Sequence, residues 1–290
     1  MDIRRDPRAR DVVRVKSDAA GPRVVFFAGV HGDEVSGLHA IEKLFFDFFT
    51  ETRKLLSGTV VMARCNETAI AAERRYITHN LNRLFRSDYG SIDTSSYEFR
   101  RAQELKPLLQ DCDYFLDMHS APVAREPFIV AEADSVSFFA QLGIPRMMTG
   151  WSKFSSGTTG GDAENYAKSF GAKSATLESG SHFDKRSNDV AYRAVLSMLA
   201  VLDMIEQPRP AALPLEVLDI YSVVNKGFDD FQYAGAPENF RRFGKGEAFA
   251  FQDGQPLTVE EETFLLIPMV PADTKIGEEV CYLARRSTAP

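Results

Sequence analysis

Two histidines and two glutamates in this 290-residue chain stand where short apolar runs end. His31 and Glu34 lie in Gly29-Val-His-Gly-Asp-Glu, directly after the run at 23–30 (RVVFFAGV). His119 follows Phe115-Leu-Asp-Met, and Glu178 lies in Thr176-Leu-Glu-Ser-Gly. An imidazole and a carboxylate in H-x-x-E spacing can share one cation. That pair alone is a weak signal, because a loop histidine followed by a carboxylate in the first turn of a helix is spelled the same way. Catalytic zinc needs three protein ligands and an open position, and His119 is the candidate that completes a His2Glu set for one zinc ion per chain. A metal so held polarises a carbonyl and lowers the pKa of water. Hydrolysis also needs a group that takes the water's proton and returns it to the leaving amine, for which Glu178 is the candidate. Taken alone, a strand-end glutamate beside glycine reads as a solvent-exposed side chain. Asp117, two residues before His119 on the same strand face, is placed either to orient a ligand from behind or to cap a nearby turn.

The segment Arg75-Tyr-Ile-Thr-His-Asn-Leu-Asn-Arg-Leu-Phe-Arg gathers Arg75, Asn82, Arg83 and Arg86 into one polar, basic stretch. Guanidinium groups bind carboxylates through paired hydrogen bonds, and one aimed at a developing oxyanion stabilises a tetrahedral intermediate. A solvated basic loop has the same composition.

Such residues need a scaffold that brings strand ends together. Apolar runs at 23–30, 58–64 (GTVVMAR), 113–118 (DYFLDM), 127–131 (PFIVA) and 175–178 (ATLE) predict short buried strands. Helical spacing of apolar residues predicts helices over 34–49, 96–109 and 188–205. Their alternation predicts an α/β domain over residues 1–205, with a mostly parallel mixed sheet and helices on both faces. In such sheets ligand sites gather at the carboxyl ends of the strands. The stretch QPRPAALPLEV after Ile205 carries three prolines and cannot continue a helix. Beyond it, short strand-like runs separated by turn signals such as QDGQP and VPADT predict a small all-β domain over 206–290.

The composition, 44% hydrophobic and 26% charged, is that of an ordinary globular protein. No run approaches the roughly 18 apolar residues of a membrane span, and the N-terminus lacks an apolar signal core, so a cytoplasmic protein without membrane association is expected. A net charge of −7 argues against a nucleic-acid partner, while a local basic pocket for a small anion remains compatible with it. Cys65, Cys112 and Cys281 are too few and too far apart for a disulfide framework or a zinc ribbon, and read as reduced thiols of the core or surface.

The ordered motifs GVHGDE, RYITHNLNRLF, DMHS and LESG resemble the succinylglutamate desuccinylase/aspartoacylase family, a branch of the zinc carboxypeptidase clan. The resemblance implies that His31, Glu34 and His119 hold zinc and that Glu178 is the general base. It implies that Arg75 helps to polarise the scissile carbonyl and that Asn82 and Arg83 hold a substrate carboxylate. It extends through the C-terminal part, which is similar to the family's β-domain beside the active-site mouth. Asn80 stands where the family usually has Asp, Ser120 where Thr is commoner, and Ser179 where Ala, Thr or Val is frequent. For the further arginine of aspartate-releasing members, Lys168 and Arg125 are candidates by position alone.

The expectation is a zinc-dependent amidohydrolase that cleaves a small anionic N-acylated amino acid or related carboxylate, with esterase-like activity open to the same groups. Its sequence is compatible with a homo-oligomer. The rival readings are a zinc carboxypeptidase acting on peptide C-termini and a non-catalytic binding module on the same fold.

Overall fold

The structure is a computed structural model that describes residues 1–7, 9–90, 92–121, 126–154 and 161–287. The chain divides into two compact units, one of Met1–Met147 with Ser152–Leu215 and one of Met148–Trp151 with Glu216–Pro290. Their elements, in chain order, begin with β1 (Asp2–Arg5), β2 (Val12–Lys16), β3 (Arg23–Ala28), α1 (Val35–Phe49), β4 (Thr59–Arg64), α2 (Glu67–Ala71) and α3 (Tyr97–Gln110). They continue with β5 (Tyr114–Ala121), β6 (Phe128–Val130), α4 (Val136–Phe139), β7 (Arg146–Thr149), α5 (Ala163–Ser169), β8 (Lys173–Ser181) and α6 (Lys185–Val201).

The mixed α/β character expected from the sequence is present. Strands β4, β3, β5 and β8 lie side by side in parallel, flanked by antiparallel β2 and β1 on one edge and antiparallel β6 on the other. The central strands are buried on both faces and therefore read as unbroken apolar runs. One face presents Val25, Phe27, Val61 and Phe115, which pack against Leu105 and Leu108 of α3 and Ala163 and Ala167 of α5. The rings of Phe27 and Phe115 meet edge to face at 5.0 Å. On the opposite face Gly37 of α1 sits against Met118 and Ala28. All three cysteines are buried and free, which resolves them as core thiols.

Helix starts follow local chemistry. Ser96 accepts from the Phe99 amide at α3, Asp162 from the Asn165 amide at α5, and Asp184 from the Arg186 amide at α6. Glu34 precedes α1 at the capping position without a side-chain cap bond, because its carboxylate is engaged elsewhere.

Glu164 in α5 is buried and accepts a hydrogen bond from Thr176 Oγ1 at 2.8 Å. Burial, reinforced by the nearby Asp162, pushes its carboxyl well above the usual range. An unfolded glutamate titrates near about 4.3, so above that pH the unfolded chain binds fewer protons than the folded one, and stability falls as pH rises towards the folded value. Glu164→Gln is therefore expected to melt higher than the wild type at pH 7, with the two curves converging below about pH 4. Thermal melts across that range check this, and a gap that persists in acid would contradict it.

The second unit, considered by itself, is built of β9 (Glu216–Asn225), β10 (Gln232–Tyr233), β11 (Arg242–Phe243), β12 (Ala248–Gln252), β13 (Gln255–Thr258), β14 (Thr263–Leu266) and β15 (Glu279–Arg286). Strands β9, β15, β14 and β11 pair antiparallel, as do β10, β12 and β13. Phe231, Phe243, Phe249, Leu265, Val280 and Leu283 form its core. The β12–β13 hairpin turns at Asp253-Gly254, both with positive φ, as a two-residue loop requires. No helix among the described residues is long and apolar enough to cross a membrane.

Candidate metal centre

β3 ends at Ala28, and the chain crosses to α1 through the turn that carries His31 and Glu34. Gly32 lets this turn touch the backbone of α2: a Cβ there would lie 2.1 Å from the Ala69 carbonyl carbon. β5 does not stop at Met118 but runs to Ala121, so His119 lies within the strand. The parallel pairing of β5 with β8 sets His119 opposite Glu178, and paired residues share a face of the sheet.

The three residues singled out as ligand candidates converge. His31 Nδ1 lies 2.7 Å from Glu34 Oε1, His119 Nδ1 lies 2.8 Å from Glu34 Oε2, and the two Nδ1 atoms are 3.2 Å apart. All three side chains are buried, and their donor atoms fall within 4.8 Å of one another. Around a tetrahedral zinc ion with bonds near 2.0–2.1 Å, neighbouring donors stand about 3.3 Å apart, so the two nitrogens are already at ligand spacing. The Glu34 oxygens stand closer because they bond directly to the imidazoles, an arrangement that a cation would replace.

Neighbouring groups orient this set. Asp117 Oδ2 stands 2.9 Å from His119 Nε2, and Asn80 Oδ1 stands 3.1 Å from His31 Nε2. Ser179 Oγ donates to the His119 carbonyl at 2.9 Å and is itself contacted by Ser36 Oγ at 2.7 Å. The Ser120 amide donates to Glu34 Oε2, and Ser120 Oγ meets His182 Nδ1 at 2.7 Å. Asp33, Glu34 and His182 form a second set of donors that shares Glu34. His182 carried no motif signal, and Ser120 links it to the centre.

Burial and the Arg75 guanidinium pull the His31 imidazole down to about 3. Burial also opposes a charge on His119, but Asp117 and Glu34 outweigh it and hold this imidazole protonated well above the usual histidine range. Burial resists ionisation of Glu34, yet the two histidines keep its carboxyl well below the usual value. These shifts favour a neutral His31 and a protonated His119 around the Glu34 carboxylate. A divalent cation bound at these donors would take the place of the His119 proton.

The basic segment approaches from one side. Arg75 Nη1 donates to Glu34 Oε1 at 3.1 Å while nearly half of its side chain stays exposed, and the Gly32 amide donates to the Arg75 carbonyl. Buried Glu98 of α3 accepts from the Ile77 and Thr78 amides and so pins the loop, a role that no motif announced. Asn82 and Arg83 lie in the 3-10 turn Leu81–Arg83. Asn82 Oδ1 accepts from the Ala163 amide at the start of α5, which leaves its amide hydrogens for another acceptor, and Arg83 Nη1 donates to the Asn82 carbonyl at 2.8 Å. Lys168 Nζ is engaged with Asp134 at 3.1 Å, and Arg125 lies outside the described residues.

Residues 20–205 match the family model of the succinylglutamate desuccinylase/aspartoacylase catalytic domain. The chain belongs to this family. It is similar to the succinylglutamate desuccinylase of Shewanella frigidimarina, at 27% identity over 270 residues covering 82% of this chain and 75% of the relative. It is likewise 27% identical over 276 residues to that of Vibrio cholerae serotype O1, covering 87% of this chain and 77% of the relative. A crystal structure of succinylglutamate desuccinylase from Vibrio cholerae shares the fold, with a TM-score of 0.78, 22% identity, and coverage of 98% of this chain and 90% of that one.

Proposed function

We propose that this family member is a zinc-dependent hydrolase that cleaves the amide bond of a small N-acylated amino acid bearing a free carboxylate. The observation that carries this reading is the convergence of His31, Glu34 and His119 on one buried point beside Glu178. The desuccinylase relatives support an acyl amino acid as the substrate class. A zinc ion bound to the three donors would polarise the scissile carbonyl and acidify the attacking water. Glu178, on the strand position next to His119, takes the proton of that water and delivers it to the leaving amine. Arg75 approaches the same point from the open side and offers its guanidinium to the oxygen that becomes negative. Asn82 and Arg83 hold the substrate carboxylate, Asn82 through its amide hydrogens. Asp117 and Asn80 keep the imidazoles turned inward.

Hydrolysis of N-succinyl, N-acetyl and N-formyl amino acids, simple esters and short peptides, followed with zinc-loaded and chelator-treated protein, tests the reading. Release of an amino acid from an acyl amino acid, abolished by chelation and restored by zinc, is expected. Release of C-terminal residues from peptides alone would make the enzyme a carboxypeptidase, and no hydrolysis of any substrate would overturn the proposal.

Arg83→Ala is expected to raise KM for an anionic acyl amino acid by about tenfold or more with a smaller effect on kcat, because hydrogen bonds to charged groups contribute roughly 1.5–3 kcal/mol and this one is made equally in ground and transition states. Steady-state kinetics decide the point. An unchanged KM would remove Arg83 from carboxylate binding.

A further inference from the structure

A second group of donors stands beside the first and shares one residue with it. Asp33, Glu34 and His182 each bring one ligand atom within 4.8 Å of the other two, and Glu34 belongs to both groups. Around one ion with bonds of about 2.0–2.2 Å, opposite donors stand at most roughly 4.4 Å apart, so small rotations of the half-buried Asp33 and His182 close the set. Asp33 Oδ1 is buried and has no hydrogen-bond partner, although a carboxylate oxygen can only accept and is costly to leave bare. The turn that carries Asp33 cannot drift, because its backbone at Gly32 lies against Ala69 of α2 with no room for a Cβ. Ser120 holds the other two members: its amide donates to Glu34 Oε2 at 3.2 Å, and its hydroxyl meets His182 Nδ1 at 2.7 Å. The His182 amide in turn donates to the Ala121 carbonyl at the end of β5, at 2.9 Å.

We propose that Asp33 and His182, bridged by Glu34, form a second metal site adjoining the first, one that takes a divalent transition ion of the zinc or manganese type. The inference rests on Glu34 being a ligand of the first site. A carboxylate has lone pairs on both oxygens, so one glutamate can serve two cations. Imidazole suits zinc, and carboxylates also accept manganese, which makes two carboxylates and one imidazole a set for either ion. The second site is the weaker of the two. Water reaches half-buried Asp33 and His182 and competes for their ion, whereas His31 and His119 are buried. Ions of two-metal centres stand about 3.5–4 Å apart, close enough for their unpaired electrons to couple.

The test uses the full-length chain and its Asp33→Ala and His182→Ala variants, freed of metal and titrated with zinc by calorimetry and equilibrium dialysis. The wild type is expected to bind two zinc ions per chain, one tightly and one more weakly. Each variant is expected to lose the weaker equivalent and keep the tight one. Manganese supplies a second measurement that needs no variant: wild-type protein loaded with two equivalents is expected to give a spin-coupled electron paramagnetic resonance spectrum, distinct from that of isolated ions. A wild type that saturates at one ion overturns the proposal. Two ions retained by both variants, or two manganese ions without coupling, overturn it by putting the second ion elsewhere. Loss of both ions from His182→Ala shown to be folded by circular dichroism also overturns it, since His182 would then belong to the first site. A wild type that binds no zinc at all removes the ligand reading of His31, Glu34 and His119 as well, a failure distinct from saturation at one ion.

Discussion

Glu178→Gln is expected to retain zinc and lose the chemical step. Glu178 lies opposite His119 in the parallel pairing of β5 and β8, so its carboxylate is carried by the same sheet face as a ligand candidate, one strand away. Positioned general bases contribute about 10²–10⁴-fold, equivalent to roughly 3–5 kcal/mol of barrier. Glutamine keeps the shape of the side chain but cannot accept a proton from water. The fall should appear in kcat with zinc content unchanged by elemental analysis. Loss of zinc from this variant would reassign Glu178 as a ligand, and full activity would place the base elsewhere.

His119→Ala is expected to lose both zinc and activity, because three protein donors become two. The effect on stability runs through a different residue. Asp117 is fully buried behind His119, and removing its partner leaves a carboxylate without compensation, a change that typically costs about 3–5 kcal/mol. Zinc content should therefore be measured on protein shown to be folded by circular dichroism. The double variant His119→Ala with Asp117→Asn, which removes the stranded charge, should regain stability without regaining zinc. Stoichiometric zinc in either folded variant would show that His119 is no ligand.

The two variants probe different depths of the same centre. Glu178 is only half-buried, so its amide replacement should leave the fold and the donor set intact. His119 is buried between two carboxylates, so ligand chemistry and folding are coupled there. Metal-binding residues in such positions trade stability of the empty protein for affinity, since the charges that attract a cation repel one another or demand a proton when it is gone.

The amino-acid sequence by itself determined the α/β class, the family and the identities of the chemically able residues. Buried parallel strands must be apolar along their whole length, and the polar residues that end them stand out against that background. His31, Glu34, His119 and Glu178 are legible for this reason. The edge strand β1 was not, because it is largely exposed and carries charged residues that do not register as a strand pattern. Local pattern also stopped the strands of His119 and Glu178 too early: β5 and β8 continue to Ala121 and Ser181, through polar residues whose burial depends on neighbouring segments.

What only the tertiary structure decided is which groups surround the candidate ligands. Glu34 and His119 meet across 85 positions, His31 and Asn80 across 49, and Ser36 and Ser179 across 143. Contacts of that separation have no local periodicity to betray them. The hidden partners are also polar residues bonded to backbone amides and carbonyls, as with Glu98 and Ser179. A backbone group presents the same chemistry whatever the residue, so such a partner leaves no second signature in the sequence to pair with the first.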